Sequence, residues 1–151
     1  MTETSSETPT TFYGVNPIFR VKDLAASLAC YPQKLGFTIN WQYPYIASVK
    51  RGRTDLFLSY GDQGNPGSWV WIGVSDAEAV HREFIASGAI MRNPPTNFAW
   101  ALEMQVEDLD GNILRIGSDS QPGRPFGPWL DMYGVRWHWS SESNWTRETD
   151  A

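Results

Sequence analysis

Apolar and polar residues alternate with the periods of strands and helices from residue 12 to residue 118. Alternating segments predict strands at 13–21, 37–42, 45–51 and 54–60. A helical period predicts a helix between Asp23, a typical N-cap, and Gly36, a typical C-terminal stop. Pro32 lies inside this pattern, so we expect it to kink or shorten the helix.

The same order of elements then recurs. A strand is predicted at 68–76, a helix between Asp76 and Gly88, and strands at 89–92, 100–106 and 113–118. The segment "FRVKD" at 19–23 aligns with "IGVSD" at 72–76, and each connects a strand to a helix. The repeat predicts an α+β fold of two βαβββ modules, at 12–66 and 67–118, with a helix on one sheet face and an open cup on the other.

The strand in "SWVWIGVSD" is apolar on both faces. Trp69 and Trp71 point one way, while Val70 and Ile72 point the other. An indole pair is unfavourable on a sheet face exposed to water. We therefore expect the tryptophan face to lie against a second layer, a partner chain or a ligand.

The two ends of the chain differ in composition from the modules. Residues 1–11 are rich in Thr, Ser and Glu and are predicted to be a disordered arm. Residues 119–151 form a Trp-rich extension, which we expect to fold back across the sheet edge or over the mouth of the cup. The sequence leaves open whether this extension is a lid, a dimer clasp or a cover for the edge.

Composition narrows the classes of function. The net charge of -5 opposes nucleic acid as a partner and suits a cationic ligand better. No apolar run is long enough for a membrane span, and the single Cys30 excludes an internal disulfide, so a cytoplasmic protein is expected. The 8 Trp, 6 Tyr and 7 Phe exceed what a core of this size needs, which favours an aromatic binding surface.

Several motifs resemble those of a known family. They are "LGF" after the first helix, the Trp69 to Trp71 strand, the Trp100 to Glu103 strand and the "DLDGN" turn at 108–112. Over residues 12–118 the chain resembles the vicinal oxygen chelate superfamily, in particular the glyoxalase/bleomycin resistance protein/dioxygenase family and its drug-binding branch. The resemblance implies paired modules that curl into a U-shaped mixed sheet, usually in a homodimer.

The resemblance also implies where a metal would bind. Enzymes of this superfamily hold a divalent ion at four cup-facing positions, which correspond here to Asn16, Phe57, Trp69 and Arg115. Only Asn16 offers an oxygen, and Arg115 would repel a cation. We therefore expect no metal and no other cofactor. His81 is expected on the solvated side of the second helix, and His138 lies in the extension.

Other catalytic arrangements are weak. Cys30 has no neighbouring histidine in the sequence, so it is interpreted as a structural thiol. Glu103 and Glu107 share a strand face, which leaves two alternatives: an acid/base pair in the cup, or carboxylates that are solvated or salt-bridged. We assign no catalytic residue.

Two hypotheses of function remain. The first is a non-catalytic protein that sequesters bleomycin-like or other bulky aromatic antibiotics in a groove completed by a second subunit. The second is a vicinal oxygen chelate enzyme, namely a lyase, isomerase or dioxygenase. For the first, the predicted ligand-binding residues are Ile18, Trp41, Phe57, Trp69, Trp71, Phe98, Trp100, Glu103 and Arg115. Dimer packing alone is the alternative role for Trp69 and Trp71.

Overall fold

The computed structural model describes residues 8–141 and 144–149, which form two modules and a C-terminal sheet. The elements are β1 Ile18–Arg20, α1 Leu24–Leu35, β2 Thr38–Gln42, β3 Ile46–Arg51, β4 Thr54–Ser59, β5 Trp69–Gly73, α2 Ala77–Ser87, β6 Ile90–Asn97, β7 Leu102–Glu107, β8 Ile113–Ser118, β9 Trp129–Leu130, β10 Arg136–Ser141 and β11 Asn144–Arg147. Most of the predicted N-terminal arm, residues 1–7, lies outside the described residues, and residues 8–11 contain no helix or strand.

The two modules have the same topology, which confirms the predicted repeat. The first sheet has the order β1-β4-β3-β2 and the second the order β5-β8-β7-β6. In each, the first strand pairs in parallel with the last, with Ile18 opposite Phe57 in one module and Trp69 opposite Ile113 in the other. The remaining pairs are antiparallel, so both sheets are mixed.

The predicted caps define both helices. The Asp23 side chain accepts a hydrogen bond from the third residue of its helix, and Asp76 does the same in the second module. Gly36 and Gly88 follow the helices with φ of 72° and 76°, values that favour glycine. Pro32 does not end α1, which continues to Leu35.

One apolar core lies between the modules. It contains residues from both helices and from the helix-covered faces of both sheets, including Phe19, Leu58, Phe84, Met104 and Leu114. The opposite face of each sheet therefore points away from the core. We call these faces the first cup (β1–β4) and the second cup (β5–β8).

The turn between β7 and β8 also joins the two modules. The Tyr31 hydroxyl donates to Asp108 Oδ2 at 3.0 Å, and Asn112 Nδ2 donates to the backbone oxygen of Arg20 at 3.1 Å. Both turn residues are almost fully buried. A segment expected to act as a hairpin turn thus also fixes the relative position of the modules.

The chain after β8 folds back onto the second module. We call residues 119–141 and 144–149 the tail; its three strands form an antiparallel sheet in the order β11-β10-β9. The side chain of Asn97, at the end of edge strand β6, donates to the backbone oxygens of Gln121 and Arg124 at 3.0 and 2.9 Å. Asn97 is 1% exposed, so the tail is held by a buried polar anchor.

Neither helix in the described residues has the length and apolar character that a membrane crossing requires.

Candidate functional site

The predicted ligand-binding residues divide between the two cups. Ile18, Trp41 and Phe57 belong to the first module. The other six belong to the second: Trp69, Trp71, Phe98, Trp100, Glu103 and Arg115. Because the cups lie on different sheets and point away from a shared core, the two sets form two separate surfaces within one chain.

The indole of Trp71 packs against two glycines, Gly73 and Gly117. Gly73 and Gly117 are register partners in the parallel strands β5 and β8. A Cβ atom at either position would lie 3.1 Å from the Trp71 indole, closer than ordinary van der Waals contact. Trp71 is 50% exposed. The second cup therefore presents a broad aromatic face that glycine makes possible.

Glu103 and Arg115 form an ion pair beside this indole. Arg115 Nε donates to Glu103 Oε2 at 3.0 Å, and Nη2 donates to Oε1 at 2.9 Å. The Trp100 indole also donates to Oε1. Glu103 is 1% exposed, and such a buried carboxylate is tolerable only because it is paired and hydrogen-bonded.

The structure shows the salt-bridged alternative for Glu103. Both of its carboxylate oxygens accept hydrogen bonds from side chains of the second module. Glu107 Oε1 lies 3.6 Å from Arg92 Nε. Arg115 was expected to bring a repelling charge to the cup, but Glu103 neutralises that charge.

The tail inserts Trp129 into the second cup. The guanidinium carbon of Arg115 lies 4.7 Å from the centre of the Trp129 ring. The Trp69 ring is 6.3 Å from the same indole, and the Arg92 guanidinium lies 5.4 Å from Trp69. Trp69 is thus packed between a tail residue and an arginine, whereas Trp71 remains open.

The buried ring of Phe98 stacks against one face of the Trp100 indole. The two rings stack with centroids 4.7 Å apart and an interplanar angle of 3°. Phe98 is 2% exposed and Trp100 is 45% exposed. Of this pair, only Trp100 can offer a ring face to a ligand, and Phe98 fixes its orientation.

A cavity of about 380 Å³ opens between the second cup and the tail. The cup contributes Trp100 and Arg115, and the tail contributes Trp129, Asp131, Trp137 and Trp145. Trp129 and Trp137 are register partners in β9 and β10, which brings them to the same side of the small sheet.

Among the described residues that line this cavity, Asp131 is the only carboxylate. Its Oδ1 accepts from the backbone N–H groups of Tyr133 and Val135, each at 2.9 Å, and its Oδ2 accepts from the Trp137 indole at 2.9 Å. The bond from Trp137 is the main cause that lowers the pKa of Asp131, so this group is charged at neutral pH.

The ligand-binding residues predicted from the sequence do not include several members of this site: Arg92, Trp129, Asp131, Trp137 and Trp145. The segment Asp131-Met-Tyr-Gly134 carried a turn signal, since Asp at a turn start and Gly at its end are typical of tight turns. That signal identifies the turn but not its partners. Arg92 reaches the tail through the backbone oxygens of Leu130 and Asp131, a contact between distant parts of the sequence.

The first cup carries its own aromatic cluster. Phe57 is the register partner of Ile18, and the Trp41 ring lies 5.0 Å from the Phe57 ring. Tyr43 extends this cluster at 5.7 Å from Trp41 and is 65% exposed. Apart from contacts within the tail itself, the aromatic and hydrogen-bond contacts that the structure shows for the described tail residues are with the second module.

The four positions that the family resemblance associates with a metal do not fit a divalent ion. Asn16 uses its amide to donate to the backbone oxygen of Asp55 at 3.3 Å. Phe57 and Trp69 have no oxygen, and Arg115 is a cation paired with Glu103. In the part of the chain that the structure describes, no group of three His, Cys, Asp or Glu residues is arranged to hold a metal ion.

Cys30 has the properties of a structural thiol. Burial, followed by the charge of Asp108, raises the pKa of the thiol and so favours its unreactive, protonated form. His138 lies in the tail sheet with Nε2 3.6 Å from Glu148 Oε1, and both side chains are about half exposed. Neither arrangement resembles an activated nucleophile.

Comparisons with known proteins agree with this architecture. The sequence model of the "Glyoxalase/Bleomycin resistance protein/Dioxygenase superfamily" matches residues 14–116, which ends before the tail begins. No curated protein sequence matches the chain.

Solved structures with the same fold include the bleomycin-binding protein of bleomycin-producing Streptomyces verticillus in complex with copper(II)-bleomycin. It is 22% identical with a TM-score of 0.64, and the match covers 75% of this chain and 100% of that one. TioX from Micromonospora sp. ML1 is 17% identical with a TM-score of 0.61, covering 70% of this chain and 98% of TioX. A glyoxalase/bleomycin resistance protein/dioxygenase from Nocardioides is 19% identical with a TM-score of 0.61, covering 80% and 91% of the two chains. At these identities the likeness shows a shared fold.

Proposed function

The chain belongs to the Glyoxalase/Bleomycin resistance protein/Dioxygenase superfamily, and we propose that it binds a bulky aromatic small molecule, such as a bleomycin-like antibiotic, without transforming it. Sequestering such a molecule would give resistance to it. The proposal places the ligand against the exposed aromatic rings of the second cup.

One observation carries this proposal: the second cup exposes the rings of Trp71 and Trp100, while its charged groups are already paired. Trp71 is 50% exposed and Trp100 is 45% exposed. Glu103 and Arg115 are bound to each other. Exposed indoles stack on planar rings and attract cations, whereas a paired carboxylate and guanidinium are poorly suited to acid/base or nucleophilic work.

The alternative of a vicinal oxygen chelate enzyme draws no support from the four cup positions. A metal would find at most one neutral oxygen at these positions, which are Asn16, Phe57, Trp69 and Arg115. The fold shared with the bleomycin-binding protein of Streptomyces verticillus is compatible with both hypotheses, and the chemistry of the cup favours the binder.

The proposal is tested by titrating the full chain with metal-free bleomycin and then with a panel of polycyclic antibiotics, using tryptophan fluorescence and calorimetry. We expect saturable binding of at least one compound and its recovery unchanged by mass spectrometry. Absence of binding across the panel would overturn the proposal, and release of a chemically altered compound would replace it with the enzyme hypothesis.

Variants then locate the site. Trp71→Leu should weaken binding roughly five- to thirty-fold, because Leu fills part of the volume but lacks the indole face. Tyr60→Leu is the matched control, since Tyr60 is 51% exposed and follows β4 in the other module. Equal losses in the two variants would mean that Trp71 has no specific role.

We also propose that the protein is a homodimer, with the partner covering the first cup. Tyr43 is 65% exposed beside Trp41 and leaves an apolar surface on the first cup that a twofold partner would bury. Sedimentation at micromolar concentration should give twice the 17.1 kDa mass of the chain. A stable monomer at this concentration would overturn the dimer proposal.

A further inference from the structure

We infer that the tail completes a binding site within a single chain, the cavity between the second cup and the tail sheet, and that this site takes a planar aromatic cation. The inference rests on the proposed small-molecule binding and adds the ligand class and the role of the tail. It differs from a groove that needs a second subunit for its other wall.

Four tryptophans line the open cavity at angles to one another. The Trp100 ring lies 6.2 Å from Trp129 at 70° and 6.0 Å from Trp145 at 47°, and Trp137 pairs with Trp129 across the tail sheet. Rings that meet at such angles present faces from several directions, as in the aromatic cages that hold organic cations. The volume of about 380 Å³ lies at the small end of the range for ligand sites. It therefore suits a fused-ring cation or the planar cationic part of a larger molecule.

The charges around the cavity favour a cation. Arg115 is neutralised by Glu103, and Arg92, which donates to the backbone oxygen of Asp131, lies 3.6 Å from Glu107, so that Asp131 is left as the excess negative charge of this group. Asp131 is charged and receives its hydrogen bonds from two backbone N–H groups and one indole, none of which carries a positive charge. Its Oδ2 has one fixed donor, so a further lone pair can accept from an N–H of a bound cation.

The tail is fixed in place by buried side chains of the second module. Gln105 is 1% exposed and donates to the backbone oxygen of Leu130 at 2.9 Å, and Asn97 holds the start of the tail through both ends of its amide. At the surface, Arg124 lies 2.6 Å from Glu78. The buried side chains of Gln105 and Asn97 have their hydrogen-bond partners in the tail. Moving the tail away from the second module would leave these polar groups without partners, so the tail is stabilised where it lies. A wall anchored in this way is part of the fold of one chain.

The ligand class is tested with three tricyclic probes added to the full-length protein: proflavine, a planar cation; acridone, a neutral analogue; and anthraquinone-2-sulfonate, an anion. We expect one proflavine per chain, weaker binding of acridone and the weakest binding of the anion. Equal affinity for the three, or a preference for the anion, would overturn the cationic class.

The contribution of Asp131 has an internal control. Asp131→Asn should weaken proflavine roughly five- to thirty-fold and leave acridone within about twofold, because only the cation loses an opposite charge. Glu148→Gln removes another tail carboxylate, which lies 3.6 Å from His138 and does not line the cavity, and should change neither affinity. Equal weakening of both probes by Asp131→Asn would show that this residue only shapes the turn, and the inference would fail.

The role of the tail as the second wall is tested with Trp145→Leu and by dilution. Trp145→Leu should weaken proflavine roughly five- to thirty-fold. Affinity measured over a range of protein concentrations should stay constant even where sedimentation shows the oligomeric state changing. Binding that appears only in an oligomer would overturn a site complete in one chain.

The two proposals can fail separately. If no antibiotic of the panel binds but proflavine binds with the expected variant pattern, the antibiotic proposal fails and the cation site remains. If an antibiotic binds and is weakened by Trp71→Leu, while Trp145→Leu and Asp131→Asn bind proflavine like the parent, the tail site fails and the second cup alone carries the function.

Discussion

The Tyr31 hydroxyl lies 3.0 Å from Asp108 Oδ2 and connects the helix of one module to the β7–β8 turn of the other. Tyr31 is fully buried and Asp108 is 2% exposed. Burial raises the pKa of Tyr31 well above its usual value and also raises that of Asp108, although hydrogen bonds from Asn112 and Asp110 oppose the second shift. This hydrogen bond is therefore a buried polar contact on which the packing of the modules depends.

Tyr31→Phe should lower the free energy of unfolding by about 1–3 kcal/mol, because it removes a buried donor while the carboxylate stays in place. Denaturation in urea, followed by circular dichroism, measures the change. Tyr43→Phe is the control. Tyr43 is 65% exposed, so removing its hydroxyl group should change the free energy of unfolding little. A Tyr31→Phe protein as stable as the parent would show that the hydroxyl contributes nothing.

The raised pKa of Tyr31 predicts a loss of stability in alkali. In the unfolded chain the phenol ionises near its usual pKa of about 10, whereas the folded protein keeps its proton. The stabilising contribution is fully present below about pH 10 and falls by up to about 1.4 kcal/mol per pH unit above it, because the unfolded state then binds fewer protons. Urea unfolding across this pH range should show the difference between parent and Tyr31→Phe shrinking as pH rises. A constant difference would contradict this assignment.

The two-module fold was predictable because its signals are local. Caps such as Asp23 and Gly88, and the alternation of apolar residues in β5, depend on residues close in sequence. The expected shortening at Pro32 does not occur, because α1 continues past it to Leu35 and ends at the predicted Gly36. Packing of α1 against the core stabilises the turn around Pro32, a contribution that the local pattern does not contain.

The site was only partly predictable. Strand alternation predicts that Trp69, Trp71 and Arg115 share one sheet face. It does not predict that the two tryptophans differ in their exposure. They differ in the structure because Trp129, sixty positions after Trp69, covers one and not the other. The pairing of Arg115 with Glu103 likewise depends on the register of β7 and β8, in which Glu103 lies opposite Gly117. Contacts of this kind are set by tertiary packing.

The different surroundings of Trp69 and Trp71 predict opposite phenotypes. Trp69→Leu removes a ring packed against Trp129 and Arg92, so the unfolding free energy should fall by about 1–3 kcal/mol. Trp71→Leu removes a half-exposed ring and should cost less than about 1 kcal/mol while weakening the ligand. Unfolding curves and ligand titrations of both variants make the comparison. Equal losses of stability would contradict the distinction.

Divalent metals should not stabilise the protein. The four positions Asn16, Phe57, Trp69 and Arg115 provide no set of anionic or imidazole ligands. Any agent that binds the folded state raises its stability by an amount that grows with its affinity, so a metal without a site should have no effect. Melting temperatures with added zinc, manganese or iron(II), and with EDTA, should agree within error. About one tightly bound metal per chain, lost together with ligand binding on chelation, would contradict this prediction.

The buried ion pair between Glu103 and Arg115 should contribute far more than the exposed pair between Glu78 and Arg124. Glu103 is 1% exposed, so Glu103→Gln leaves Arg115 without its countercharge in a partly buried site and should cost about 2–4 kcal/mol. The side chains of Arg124 and Glu78 are 36% and 42% exposed, and a solvent-screened pair of this kind contributes about 0–1 kcal/mol. Double-mutant cycles with Glu103→Gln and Arg115→Met, and with Glu78→Gln and Arg124→Met, separate each coupling energy from the cost of the single changes.

Arg115 also lies 4.7 Å from the Trp129 ring, so Arg115→Met should loosen the tail as well, which would be seen as faster proteolysis of the C-terminal segment. Equal coupling energies in the two cycles would show that Glu103 is hydrated in solution, and its carboxylate would again be a candidate acid or base.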